Sequence, residues 1–422
     1  MYTNPTIAVV GAGPGGLTCA RILQLAGVAV TVHDADASLA ARDQGGTLDL
    51  HADSGQIALA DAQLTTEFAA LARPEGQSHR MVDPAGTVLA EQVAAADESA
   101  APEIDRAQLR AMLVDSLAPG TVRWGRKLVE LQAGADGTPH RLVFADGTVE
   151  TADVVIGADG AWSRVRAALT DTVPRYTGVS FVEVLFTRTA ERHPEIATLV
   201  GAGHLWANGD GRTMVLQRNS DDVVRGYLGM RIDLDWLAAA GLGTADGRGG
   251  VLPASPALDA NATQATDTER VRAEVRRRFA DFAPELLRIV DESEGPLANR
   301  PIMALPTPTT WEHRRGIALI GDAAHVMAPF GGNGVNLAML DGAELARGIV
   351  GALRDGTDVD VAIRAAEAVM VPRGAEVGAA ANAAIVEHFA AGGPDLDDVP
   401  DFDAEAARWK ERADAYRAAR EG

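Results

Sequence analysis

Residues 6–34 read TIAVVGAGPGGLTCARILQLAGVAVTVHD. The apolar run at 6–10 predicts a buried parallel strand. GAGPGG is a glycine turn, Leu17–Leu25 a helix stopped by Gly27, and Val28–Val32 a second strand ending at Asp34. Strand, turn, helix and strand within about thirty residues make a βαβ unit. In that context Gly11, Gly13 and Gly16 fit G-x-G-x-x-G. The first glycine permits the tight turn, the second admits a pyrophosphate to the backbone, and the third lets helix and strand pack closely. The phosphates then meet free N–H groups at the helix N-terminus. Asp34 stands where a carboxylate accepts hydrogen bonds from a ribose diol, and an acid there argues against a 2′-phosphate. The unit predicts a bound dinucleotide and leaves FAD and NAD open.

Outward from this unit, GGTLDLHADSGQIALADAQL (45–64) predicts a turn leading into a helix. EIDRAQLRAMLVDSL (103–117) predicts an amphipathic helix with Leu109, Met112, Leu113 and Leu117 on one face. Leu142–Phe144, Thr148–Glu150 and Val154–Ile156 predict strands, the first two joined by an Asp146-Gly147 turn. From Tyr176 to Met230 the runs VSFVEVLF, TMVLQ and RGYLGM are β-like. Residues 238–268 are rich in Ala, Gly, Thr and Asp and predict a loop, followed by a helix over Glu269–Phe279. Gly316–Ile320 returns as a strand before a long helix over Val335–Leu353, and Asp403–Arg420 predicts a terminal helix. The expected architecture is α/β: a Rossmann-type FAD-binding domain (1–73, 105–175 and 295–380), interrupted by a β-sheet-rich substrate domain (74–104 and 176–294), with a C-terminal helical segment (381–422).

FAD enters through two further glycine–aspartate sites. DVVIGADGAWSRVR (153–166) places Gly157, Asp159 and Gly160 after a strand. GIALIGDAAHVMAPFGGNGVNL (316–337) places Gly321-Asp322 after a strand, then a glycine turn opening a helix. An NAD dehydrogenase needs neither, whereas a cofactor with a polyhydroxyl chain and a second ring system uses both. Asp322 suits a ribityl chain. Gly332, Gly334 and Asn336 let a second helix N-terminus approach the flavin ring, where its dipole favours an anionic reduced flavin.

Bulk properties restrict the partners. Hydrophobic residues are 47% and charged residues 23%, the composition of a soluble globular protein. The net charge of −21 disfavours nucleic acid and anionic membranes. Cys19 is the single cysteine; it reads as a buried core residue, and neither a disulfide nor a metal cluster is expected. No apolar run approaches the ~18 residues of a membrane span, and no secretory signal precedes the glycine motif. A cytoplasmic monomer is the expectation.

The combination of GAGPGG, GADGAWSRVR and GDAAHVMAPFGGNGVN resembles the single-component FAD-dependent aromatic hydroxylases. GGTLDLHADSGQ, EIDRAQLRAML and the GDAAH segment are similar to the tetracycline-inactivating flavin monooxygenases. The resemblance covers nearly the whole chain and is patchy between about 175 and 300. It implies that Asp34 holds the adenosine ribose, that Asp49 and Arg110 hold the flavin side, that Asp322 meets the ribityl chain, that the backbone of Gly332, Asn333, Gly334 and Val335 faces the flavin ring, and that Arg42 contacts the nicotinamide reductant. On the residues alone, Arg110 reads instead as a solvated charge on its helix. On the substrate side the resemblance implies roles for Phe330 and Asn382. At three further positions this chain departs from the family, with Glu183, Tyr227 and His204 standing where the tetracycline enzymes carry other side chains. His325 is a candidate base, although filling the loop after its strand is the simpler role.

The chemistry implied is flavin-centred, with no catalytic side chain assigned. NADPH or NADH reduces FAD, and O2 then supplies one oxygen atom to an electron-rich carbon of a polycyclic phenolic or enolic substrate. No nucleophile elbow, H-E-x-x-H motif or second G-x-G-x-x-G is present, so the reductant binds transiently. Two substrate readings stand, a tetracycline-type antibiotic or an aromatic polyketide or phenolic intermediate; the alternative of another class is oxidase or dehydrogenase chemistry without oxygen transfer.

Overall fold

A computed structural model describes residues 5–95, 97–135, 138–242, 244–245, 251–252, 260–393 and 401–421. Ile7–Val10 is the central strand of a five-stranded sheet, flanked by Val154–Gly157 and Ile317–Leu319 on one side and by Val30–His33 and Val122–Arg123 on the other. All its pairings are parallel. Such a sheet is covered on both faces, which is why its strands are continuous apolar runs. Ile7, Val9 and Ile156 face the helices Pro14–Leu25 and Asn333–Asp355, in one core with Leu17, Leu23, Met339 and Ile349. Ala8, Val10 and Val155 face a three-stranded antiparallel layer (Leu128–Gln132, His140–Phe144, Val149–Ala152) through Leu142 and Phe144. The two helices approach at backbone distance: a Cβ on Gly15 would strike Ala338, and one on Gly342 would strike the Gly15 carbonyl.

The second sheet has seven strands in the order Ala298–Ala304, Arg175–Phe186, Val224–Arg231, Arg212–Arg218, His204–Gly209, His79–Val82, Val88–Gln92. It is antiparallel except where His204–Gly209 pairs with His79–Val82. Alternation divides its residues. Val182, Val184, Leu205, Ala207, Met214, Leu216 and Leu228 enter a core with Phe279 and Ile289. Phe181, His204, Trp206, Thr213, Val215, Gln217 and Tyr227 line a cavity on the other face.

Several elements differ from expectation. Glu103–Asp105 is a strand paired with Thr47–Asp49, and the helix starts at Arg106, so a short antiparallel pairing overrides helical patterning. Leu117 is buried just beyond that helix, which ends at Asp115. The β-like middle region contains helices Thr189–Arg192 and Pro194–Val200. The expected loop over 238–268 lies partly outside the described residues; within it a helix begins at Ala260 and runs to Arg278. Val359–His388 is a 30-residue helix that crosses the boundary expected at 380. Cys19 is fully buried. No described helix is long and apolar enough to cross a membrane, and no metal-binding cluster occurs among the described residues.

Candidate active site

The strand ends and glycine turns of the parallel sheet meet the open face of the second sheet around a cavity of about 1220 Å³. One side is largely backbone. Gly11 adopts φ +110°, and any side chain there would overlap the Ala158 carbonyl. Gly13 is the N-cap of Pro14–Leu25, with no side-chain cap, and an added Cβ would point into open space. Gly332, in the left-handed region at φ +62°, is the N-cap of Asn333–Asp355. A Cβ on Gly332 would overlap the Asp49 carboxylate, whereas Gly334 faces open space. Two helix N-termini with unfilled donors thus line the same cavity. The residues present fit FAD: one glycine turn accommodates a pyrophosphate, and the other presents backbone to a flat ring.

Side chains stiffen this frame. Asp34 Oδ2 accepts a hydrogen bond from Ala12 N at 2.6 Å, tying the end of Val30–His33 to the glycine turn. Arg110 is buried, against the solvated-charge reading. Its Nε donates to Ala12 O at 2.9 Å and its Nη1 to Asp36 Oδ2 at 2.9 Å, and its guanidinium lies over Trp124. Arg42 pairs with Asp36 at 3.1 Å while remaining largely exposed. Asp159 caps its own loop, accepting from Ser163 Oγ at 2.5 Å and Arg164 N at 2.6 Å. Asp322 opens a short helical turn and lines the cavity. Asn336 does not line the cavity; it staples it. Its Oδ1 accepts from His51 N and Gly55 N, and its Nδ2 donates to Asp49 O and Gly332 O.

Gly11, Gly13, Gly16, Asp34, Arg42, Asp49, Arg110, Asp159, Asp322, Gly332, Asn333, Gly334 and Val335 all line this one cavity, as do His204, Tyr227 and Phe330. Glu183 and Asn382 do not. Glu183 is ion-paired to both Arg225 and Arg300. Asn382 accepts from Ala328 N at 3.0 Å and so positions the segment leading to Phe330. His325 also lies outside, buried with Nε2 2.6 Å from Asp341, which in turn pairs with Arg373. Its ring packs against Gly374.

Other lining residues went unnoticed in the sequence. Glu103 and His79 face the cavity, as do Phe402, Asp403, Glu405, Ala406 and Trp409 of the C-terminal helix Phe402–Glu421. That helix closes one side of the cavity. Phe402 stacks on His79 with centroids 4.1 Å apart, and Trp409 stacks on His51 at 4.1 Å. Lys410–Glu98 and Arg412–Asp53 pairs clamp its flanks. A signal was present: Phe402, Trp409 and Tyr416 recur every seven residues, which places them on one helical face. His51 is itself held by Asp49 at 2.9 Å. Burial disfavours its charge, but the Asp49 carboxylate outweighs this and raises its pKa.

Sequence comparison decides the family. The profile of the FAD binding domain family matches residues 4–366. The chain belongs to this family. It is 30% identical over 368 residues to monooxygenase penA of Penicillium thymicola, covering 81% of this chain and 83% of that one. It is also 30% identical over 387 residues to the 3-amino-4-hydroxybenzoate 2-monooxygenase PtnB3 of Streptomyces platensis, covering 89% and 86%. Among solved structures, the tetracycline destructase Tet(55) superposes with TM-score 0.67 at 20% identity, covering 98% of each chain. The protein is an FAD-dependent monooxygenase of the aromatic hydroxylase type.

Proposed function

We propose that this monooxygenase takes electrons from NADPH or NADH and inserts one atom of O2 into a phenolic or enolic small molecule with more than one ring. The observation that carries this reading is a single cavity shared by the flavin-type turns and a mixed aromatic–polar wall. Ligand pockets usually span ~300–1,000 Å³, and this one is about 1220 Å³, room for a cofactor and a second occupant. FAD, when bound, supplies the redox chemistry and the activation of oxygen.

The chain's own residues bind, orient and exclude water. With FAD bound, the N-terminus of Pro14–Leu25 would hold the pyrophosphate, Asp34 the ribose, Asp322 the ribityl chain, and Gly332–Val335 the ring. Phe181, Trp206, Val215, Tyr227 and Phe330 offer flat apolar surface to the substrate, and the C-terminal helix excludes water. A relative named for 3-amino-4-hydroxybenzoate supports a phenolic substrate. A tetracycline draws less support, because the Glu183 carboxylate is already occupied by two arginines.

The test is NADPH oxidation under air with tetracycline, anhydrotetracycline and simpler phenols, with products weighed by mass spectrometry. A gain of one oxygen atom from O2 is expected. Substrate-stimulated oxidation that adds no oxygen to any product defeats this reading in favour of oxidase chemistry.

A further inference from the structure

Two neighbouring histidines in the cavity wall have opposite surroundings. His204 and His79 are register partners on parallel strands, with ring centroids 5.2 Å apart. His204 Nε2 lies 3.0 Å from Glu103 Oε1, with the side chains only 9% and 4% exposed. The other carboxylate oxygen accepts from Thr47 Oγ1 at 2.5 Å, and Arg73 Nη2 donates to the same hydroxyl at 3.0 Å. Glu103 is therefore oriented from behind and directed at one imidazole. His204 Nε2 faces Glu103 as an ion pair without an aligned hydrogen bond, whereas His79 has no carboxylate beside it: its Nδ1 is buried and unbonded, and its ring lies flat on Phe402.

Burial works against a charge on either ring. At His204 the Glu103 carboxylate, followed by Asp49, outweighs burial and raises the pKa. At His79 burial, reinforced by the charge on His204, pushes the pKa down to about 3. The charged and titratable groups around His204 are Glu103, Asp49, Arg73 and His79, while Asp403 and Glu405 of the C-terminal helix border the same cavity. One wall thus holds two imidazoles whose surroundings shift them in opposite directions, a separation of the kind found at functional sites. A buried ion pair is weak evidence for stability, and this one opens onto the cavity. It also lies within electrostatic reach of Asp49, the residue packed against Gly332.

We propose that the Glu103–His204 pair anchors an acidic hydroxyl of the substrate and holds it as the phenolate or enolate. This rests on the phenolic or enolic reading above. With Nε2 buried against the Glu103 carboxylate, Nδ1–H is assigned as the donor to the substrate oxygen, and a charge-assisted hydrogen bond selects the ionised form. On ionisation the O–H bond breaks, the proton passes to solvent and the electron pair remains on oxygen. That pair enriches the carbons conjugated to it, which are the carbons an electrophilic oxygen attacks. His204 is then a substrate-binding specificity determinant, with Thr47 and Glu103 as positioning residues.

The experiment uses the FAD-loaded enzyme with 4-nitrophenol, whose spectrum reports its ionisation, and with 4-nitroanisole, which cannot ionise. The wild type is expected to lower the pKa of bound 4-nitrophenol and to prefer the phenolate over 4-nitroanisole by about tenfold or more. His204→Gln should abolish both effects while FAD content is retained; His204→Lys, which restores a cation, should recover the preference. Glu103→Gln should weaken the pKa shift without removing 4-nitroanisole binding. A His204→Gln enzyme that keeps the preference overturns the proposal. So does a wild type that binds both probes alike, a result independent of whether any variant folds. Either outcome leaves the monooxygenase reading intact, because that reading depends on oxygen incorporation into a product.

Discussion

The two sides of the cavity are made of different material. The flavin side consists of backbone: two helix N-termini and glycine turns in which Gly11 and Gly332 have conformations and clearances that admit no side chain. The opposite side consists of side chains from alternate positions of an antiparallel sheet, covered by the C-terminal helix. A backbone cradle recognises a pyrophosphate and a flat ring, features common to every FAD molecule. A side-chain wall can be changed one residue at a time without disturbing the strands beneath it. Cofactor identity is therefore held rigidly in this protein, and substrate identity is adjustable.

The strongest challenge to this contrast is Gly11→Ala. A Cβ at φ +110° meets the Ala158 carbonyl, so backbone strain of about 1–3 kcal/mol adds to a steric clash. We expect loss of nearly all bound FAD and a lower Tm, read by flavin absorbance per protein and by thermal melting. Gly13→Ala sharpens the point, because its φ is −82° and the added methyl meets nothing. The apo-protein should melt normally while FAD affinity falls, since only the phosphate space is invaded.

Next in size is Asn336→Ala, which strands the buried His51 N and Gly55 N donors. About 1–3 kcal/mol per unsatisfied buried group is expected, measured by urea unfolding. Removing the C-terminal helix from Phe402 onward should act on the other side only. We expect unchanged FAD content, weaker substrate binding and more NADPH oxidation without product, followed as hydrogen peroxide release. Loss of FAD in this truncation would break the division between the two sides.

The smallest effect concerns pH. The folded pKa of His51 lies above its unfolded value of 6.5, so its contribution is fully present below pH 6.5 and is lost as pH rises through the folded pKa. Asp49 is shifted the other way: burial raises it, but His51 outweighs this and the net shift is downward. Its contribution is present above the unfolded value of 3.8 and disappears as pH falls through the folded pKa. Stacking of Trp409 on His51 should thus be strongest in mildly acidic solution. His51→Gln should remove the loss of stability that sets in as pH rises above 6.5, measured by denaturant unfolding at several pH values.

Legibility in the sequence followed this same division. Gly11, Gly13 and Gly16 were readable because a tight turn into a helix leaves a fixed glycine spacing in the chain, and the second glycine turn was readable for the same reason. The substrate wall left weaker traces. His204, Tyr227 and Phe330 do line the cavity, but Glu183 is tied up by arginines and Asn382 supports the chain from behind. Glu103 was read into a helix because its neighbours have helical periodicity, and pairing with Thr47–Asp49 decided otherwise.

By itself, the order of residues determined the parallel βαβ core and both glycine turns that line the cavity, because these depend on local backbone geometry and on runs of apolar residues. Only the tertiary structure decided that Arg110 is buried against Ala12 and Asp36, that Glu103 faces His204, and that Trp409 covers His51. Those contacts join residues from about 74 to more than 350 positions apart. No local pattern encodes such pairings; they form when packing of the two sheets and the closing helix brings the side chains together.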